Sequence, residues 1–174
     1  AAMYRRFVDN GSHVRGMFWY QGCSDAYYDA YRAFKDRMWE FYKHIREDFG
    51  ENLSIVQVQI ARTYPPVSDA GEEGTETWTG IREIQRKMSA AVPNLATAHT
   101  ISYPMADPIH IARKSQKLLA RNAAELMHAL IHGQPAAEIN VDVAAIKAIP
   151  NDYKPDWTDI IVPFTGVNGL VAEP

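Results

Sequence analysis

The chain has 174 residues, 47% of them apolar and 22% charged, with a net charge of −3 and a pI near 6.1. That is the composition of a globular protein of one domain with the edge of a second. It excludes the basic footprint of a nucleic-acid binder and a run of about 18 apolar residues able to span a membrane, and the single cysteine excludes an internal disulfide framework.

The first seven residues, Ala1 to Phe7, lack the apolar core of a signal peptide. Met3, Tyr4, Phe7 and Val8 fall at helical spacing from the outset, and Asn10-Gly11 closes that segment. Val14 to Tyr20 is almost continuously apolar, which predicts a strand covered on both faces. A polar turn, Gln21-Gly22-Cys23-Ser24-Asp25, follows it. Ser24 or Asp25 supplies an N-cap for a helix running to about Phe49. Tyr28, Tyr31, Phe34, Met38, Phe41, Tyr42 and Ile45 form its stripe, expected as core. Ser54 to Ala61 alternates and is rich in branched residues, so it reads as a second strand. Residues 62–75 read as a loop, Thr77 to Ala91 as a helix and Leu95 to Ser102 as a third strand. The turn Tyr103-Pro104-Met105-Ala106-Asp107-Pro108 leads to a helix over about 109–132, stopped by Gly133. This alternation predicts a parallel sheet with helices on both faces. After Gly133, Ala137 to Ala148 and Ile160 to Phe164 alternate as antiparallel strands do, so residues 1–134 form an α/β unit and 135–174 a β-rich segment.

Three places can carry chemistry. The turn at residues 21–25 stands at the carboxyl end of a strand, where open α/β sheets bind ligands. There Gly22 permits close backbone approach and the Gln21 amide can donate to a developing oxyanion. In Asp107-Pro108-Ile109-His110, an acid three residues before a histidine can orient the imidazole through one nitrogen and free the other as a general base; a helix-start cap explains the same pair. Trp78, Arg82 and Gln85 share one helix face, which either points at substrate or anchors the helix on the sheet. Cys23 is either a thiol activated near a helix N-terminus or a small buried hydrophobe. His128 and His132 stand four apart, yet no third ligand accompanies them, so no metal site is expected.

Phe18-Trp19-Tyr20-Gln21-Gly22-Cys23-Ser24-Asp25 resembles the Trp-Tyr-Gln-Gly-Glu-Ser-Asp block of the sialate O-acetylesterase group of carbohydrate esterases, within the SGNH (GDSL-like) hydrolases. The likeness continues through Gln57 to Ala61, Trp78 to Gln85, Asp107 to His110, the helix from Lys114 to Gly133, and Ile160 to Ala172. It implies a three-layer α/β/α, flavodoxin-like fold lacking its first strands in this sequence and followed by a short all-β segment. It implies His110 as general base, Asp107 as its orienting acid, and Gln21, Gly22, Cys23 and Arg82 as oxyanion-hole or substrate-binding positions. The implied reaction removes O-acetyl groups from sugars through an acyl-enzyme, with no metal or cofactor. The implied location is extracellular, periplasmic or lysosomal.

Two departures stand out. The family's Gly-Gln-Ser-like nucleophile block has no counterpart here, which implies a serine on an N-terminal segment or another chain. Cys23 occupies the place where the family usually has glutamate. A non-enzymatic alternative is a degenerate scaffold that binds carbohydrate or a partner chain, with Trp19, Tyr20 and Trp78 stacking on sugars.

Overall fold

The computed structural model describes residues 2–27, 30–63 and 71–167. Its elements are α1 (Ala2–Asp9), β1 (Gly16–Tyr20), a 3-10 turn (Cys23–Asp25), α2 (Ala30–Phe49), β2 (Ser54–Val58), α3 (Gly71–Ala91), β3 (Leu95–Ala98) and α4 (Arg113–Ile131). A short α5 (Ala136–Ile139) and four small strands, β4 (Asp142–Val143), β5 (Lys147–Pro150), β6 (Thr158–Ile161) and β7 (Phe164–Thr165), complete the order.

Strands β1, β2 and β3 pair in that order, all parallel, with Tyr20 opposite Val58 as the last pair of the first ladder. The two-residue period of a strand sends alternate side chains to opposite faces. On one face Met17, Trp19, Ile55 and Leu95 meet Phe34, Met38, Tyr42 and Ile45 of α2 and Trp78, Ile81 and Met88 of α3. On the other, Val56, Val58, Ala96 and Ala98 meet Leu119, Ala123, Met127 and Leu130 of α4. The result is the three-layer α/β/α arrangement that the alternating pattern predicts. The aromatic stripe of α2 is core as expected, although Tyr28 lies outside the described residues.

The expectation of a β1 covered on both faces is not met. Every residue of β2 and β3 is buried, whereas Phe18 and Tyr20 are 56% and 46% exposed. The cause is lateral position. Among the described strands β1 is at the edge, and α4 approaches it closely at Gly16, where an added side chain would collide with Met127. Further along that face, Phe18 and Tyr20 stay about half in water.

Helix α3 begins at Gly71, six residues before the predicted Thr77, so the loop read at 62–75 is helical in its last part and outside the described residues over 64–70. Glycines discourage a helix by only about 1 kcal/mol each, and packing along the rest of α3 overrides that preference. Helix α4 begins at Arg113 rather than near Ile109, because residues 105–111 close on themselves through a Met105–Ile111 bridge.

After Gly133 the antiparallel expectation meets β4 with β7 and β5 with β6. Residues 136–139, however, are a helical turn packed beside α3, α4 and β3.

Candidate functional site

The carboxyl ends of β1 and β3 put two segments, distant in sequence, on one cleft of about 460 Å³. Residues 20–24 line one side, Ile109, His110 and Ile111 the other, and Gln116 and Leu119 come from α4. Four of the residues singled out in the sequence, Gln21, Gly22, Cys23 and His110, therefore face a common space.

The first segment turns sharply after β1. Gly22 has φ 141°, a backbone conformation that L side chains rarely adopt. The Gln21 side-chain amide donates to the Asp25 carboxylate, four residues on. One N–H is thus committed to Asp25, and the same nitrogen keeps a second for a ligand. The Cys23 thiol is half-buried, and burial pushes its pKa up. Burial likewise raises the Tyr20 phenol.

The second segment is a compact loop. Asp107 Oδ1 accepts the backbone N–H groups of Ile109 at 2.9 Å and His110 at 2.8 Å, while Oδ2 lies 2.8 Å from His110 Nδ1. The carboxylate therefore shapes the loop and orients the ring. The backbone N–H of Ile109, then the His110 side chain, hold Asp107 below the usual carboxylate range. Both side chains are open to solvent, at 69% for His110 and 47% for Asp107. With Nδ1 engaged by the carboxylate, Nε2 is the nitrogen left for proton transfer.

The shared face of α3 points elsewhere. Trp78 Nε1 donates to the Ala61 carbonyl at 2.6 Å, and Arg82 Nη1 to the Ile60 carbonyl at 2.8 Å. Arg82 also reaches Gln59 Oε1 at 3.2 Å, and burial, then the neighbouring Arg62 charge, lower its pKa. Gln85 Oε1 accepts the Ile60 N–H at 2.9 Å, and its Nε2 donates to the Gln21 carbonyl at 2.9 Å. None of the three lines the cleft. They anchor the backbone that leaves β2.

Under this segment lies a buried polar network. Tyr42 donates to Gln57 Oε1 at 2.9 Å, and Gln57 Nε2 donates to Thr97 Oγ1 at 2.8 Å. His99 Nδ1 meets Gln59 Oε1 at 3.2 Å, and since that oxygen only accepts, the imidazole nitrogen carries the proton.

Gln116 and Leu119 line the cleft without having been anticipated. Gln116 is an exposed polar residue on a helix, and spacing alone reads such a residue as part of a solvated face. No group of three or more His, Cys, Asp or Glu side chains able to hold a metal occurs among the described residues. None of their helices is long and apolar enough to cross a membrane.

The parallel sheet with helices on both faces is an α/β/α arrangement of the SGNH-like type. The chain belongs to the carbohydrate esterase family of sialic acid-specific acetylesterases, whose model matches residues 1–129. Among solved structures it is similar to a carbohydrate acetylesterase from Xanthomonas citri, with TM-score 0.62 and 20% identity over 79% of this chain and 30% of that one. It is also similar to a protein from Arabidopsis thaliana, with TM-score 0.58 and 22% identity over 76% of this chain and 51% of that one. The chain thus spans under a third of the first and about half of the second. No curated protein matches it.

Proposed function

We propose that these residues form the histidine-bearing half of a site that removes O-acetyl groups from sugars, of sialate or xylan type, with a nucleophilic serine supplied by polypeptide outside the 174 residues. The observation that carries the reading is the shared cleft. An imidazole with Nδ1 on a carboxylate faces a glutamine-glycine turn whose amide N–H groups can receive an oxyanion. In the reaction, His110 Nε2 takes the serine proton as Oγ bonds to the acetyl carbonyl carbon. The carbonyl oxygen becomes an anion held by donors at Gln21 and Gly22. Collapse breaks the bond to the sugar oxygen, which leaves with the proton from His110. Water then repeats the sequence on the acetyl-serine and releases acetate.

Among the described residues the outer edge of β1 has no strand partner, and this edge and the half-exposed Phe18 and Tyr20 support the idea that further chain lies against this side of the sheet. A thiol mechanism through Cys23 is disfavoured, because burial raises its pKa and so lowers the thiolate fraction.

The test is acetate release from 4-nitrophenyl acetate and from O-acetylated sugars by a longer form of the protein carrying a Gly-Gln-Ser or Gly-Asp-Ser block. We expect turnover there, about 10³-fold or more slower in His110→Ala, and none from the 174 residues alone. An inert longer protein, or a His110→Ala variant as fast as its parent, overturns the reading. The other reading, a scaffold that binds carbohydrate without turnover, has one aromatic residue in its favour. Tyr20 lines the cleft, whereas Trp78 is 2% exposed and Trp19 stacks on Phe41 at 4.3 Å. Calorimetric binding of acetylated glycans without hydrolysis would favour it.

A further inference from the structure

Gln85 sits on α3, 3% exposed, and does not touch the cleft. Yet its amide reaches the turn that does. The ladder between β1 and β2 ends at the pair Tyr20–Val58. Beyond that point the Gln21 carbonyl has no strand partner within the sheet, and Gln85 Nε2 supplies one at 2.9 Å. A weaker contact at 3.4 Å runs from the same nitrogen to the Val58 carbonyl, while Oε1 accepts the Ile60 N–H at 2.9 Å. One side-chain amide therefore replaces the ladder where the two strands part.

Gly22 packs on the same group. A Cβ there would lie 3.1 Å from Gln85 Nε2, from Ile60 Cγ2 and from Ile81 Cγ2. The peptide between Gln21 and Gly22 is thereby fixed in direction as well as position. In a trans peptide the C=O and the following N–H point opposite ways. Holding the Gln21 carbonyl on Gln85 turns the Gly22 N–H away from Gln85, and Gly22 lines the cleft.

We propose that Gln85 is a positioning residue of the esterase site, aiming the Gln21–Gly22 peptide so that its N–H meets the developing oxyanion. This rests on reading that turn as the oxyanion hole. The physical leverage is large, since a donor misplaced by about 1 Å costs about 10²-fold in rate.

Cys23 is the chain's one cysteine and adjoins Gly22, so its alkylation rate reports on this turn alone. Gln85→Glu keeps an acceptor for the Ile60 N–H and removes the donor to Gln21; Gln85→Met removes both. In the 174-residue chain we expect iodoacetamide to label Cys23 about tenfold faster in Gln85→Glu, the loss of roughly one hydrogen bond's worth of closure, and faster still in Gln85→Met. Trp78→Phe, which deletes the 2.6 Å bond from the same helix to Ala61, should label at the parental rate even where it lowers Tm as much. In the longer, serine-bearing protein, Gln85→Glu should lower kcat about 10- to 100-fold with KM within twofold. Parental labelling in a folded Gln85→Glu variant overturns the proposal, and so does an unchanged kcat. If the longer parent is inert, the esterase reading falls and Gln85 loses its catalytic purpose, whereas fast labelling still establishes that it holds the turn.

Discussion

At the outer edge of β3 the side chain of Asn140 stands where another strand would. Its Oδ1 accepts the Thr97 N–H at 2.9 Å and its Nδ2 donates to the Leu95 carbonyl at 3.3 Å. At the outer edge of β1 no strand or side chain plays that part among the described residues, and Phe18 and Tyr20 stand half in water beside it. An open edge offers unpaired N–H and C=O groups to any strand that can reach them. The contrast teaches that the side-chain amide of Asn140 closes the His99 side of the sheet, while on the Gln21 side no such group stands among the described residues. The proposed site lies toward that more exposed side.

The first way to break this comparison is at Asn140, which is 6% exposed. Asn140→Ala strands a buried N–H and C=O of β3 and should cost about 2 kcal/mol in urea unfolding. A loss below about 0.5 kcal/mol would mean that β3 is not closed by this residue. The second way uses pH. Burial, then the neighbouring Arg82 charge, hold the His99 pKa below its ordinary value. The unfolded chain therefore takes a proton before the folded one does. Stability is complete above about pH 6.5 and declines as pH falls through that value, by at most about 1.4 kcal/mol per unit for one proton. His99→Gln should flatten this slope in calorimetric scans between pH 7 and 5; an unaltered slope would assign it to other groups.

A smaller effect is expected where β4 meets α3. Arg86 bridges Glu83 and Asp142 with all three side chains partly exposed, and Arg86 holds the Glu83 pKa down to about 2. Asp142→Asn should cost about 0.5 kcal/mol at low salt and nothing measurable at high salt. The smallest change should come from the open edge itself. Replacing Phe18 and Tyr20 together by threonine should leave the stability of the 174-residue chain within about 0.5 kcal/mol, because surface changes away from packed contacts cost little. The same double substitution in a longer, serine-bearing protein should lower its Tm by several degrees if chain packs there. A large loss in the short chain would show instead that β1 is finished as it stands.

Much of the α/β unit was legible in the sequence, because each helix and strand announces its own burial period. The stripe of α2 and the branched run of β2 needed no partner to be recognised. The double coverage of β1 was not legible. An apolar run records what a strand can tolerate, while its actual cover depends on its lateral place in the sheet, and β1 is at the edge of the described strands. The pair Asp107–His110 was visible as a motif. That it sits in a closed loop ahead of α4, and not in the first turn of the helix, follows from the Met105–Ile111 bridge, a contact that no local pattern encodes. For Trp78, Arg82 and Gln85, spacing established a shared face but left its direction open, and the backbone leaving β2 decided it.

By itself, the sequence determined the alternation of helix and strand, the polar turns at the strand ends, and the residue types able to move a proton or receive an oxyanion. Those properties belong to single segments. The tertiary structure alone decided that residues 21–24 and His110 share a cleft, that Gln85 aims at Gln21 from behind it, and that Asn140 closes one edge of the sheet while no strand pairs with the other among the described residues. Each of these depends on groups far apart in the chain meeting within a few ångströms, a distance that only packing fixes.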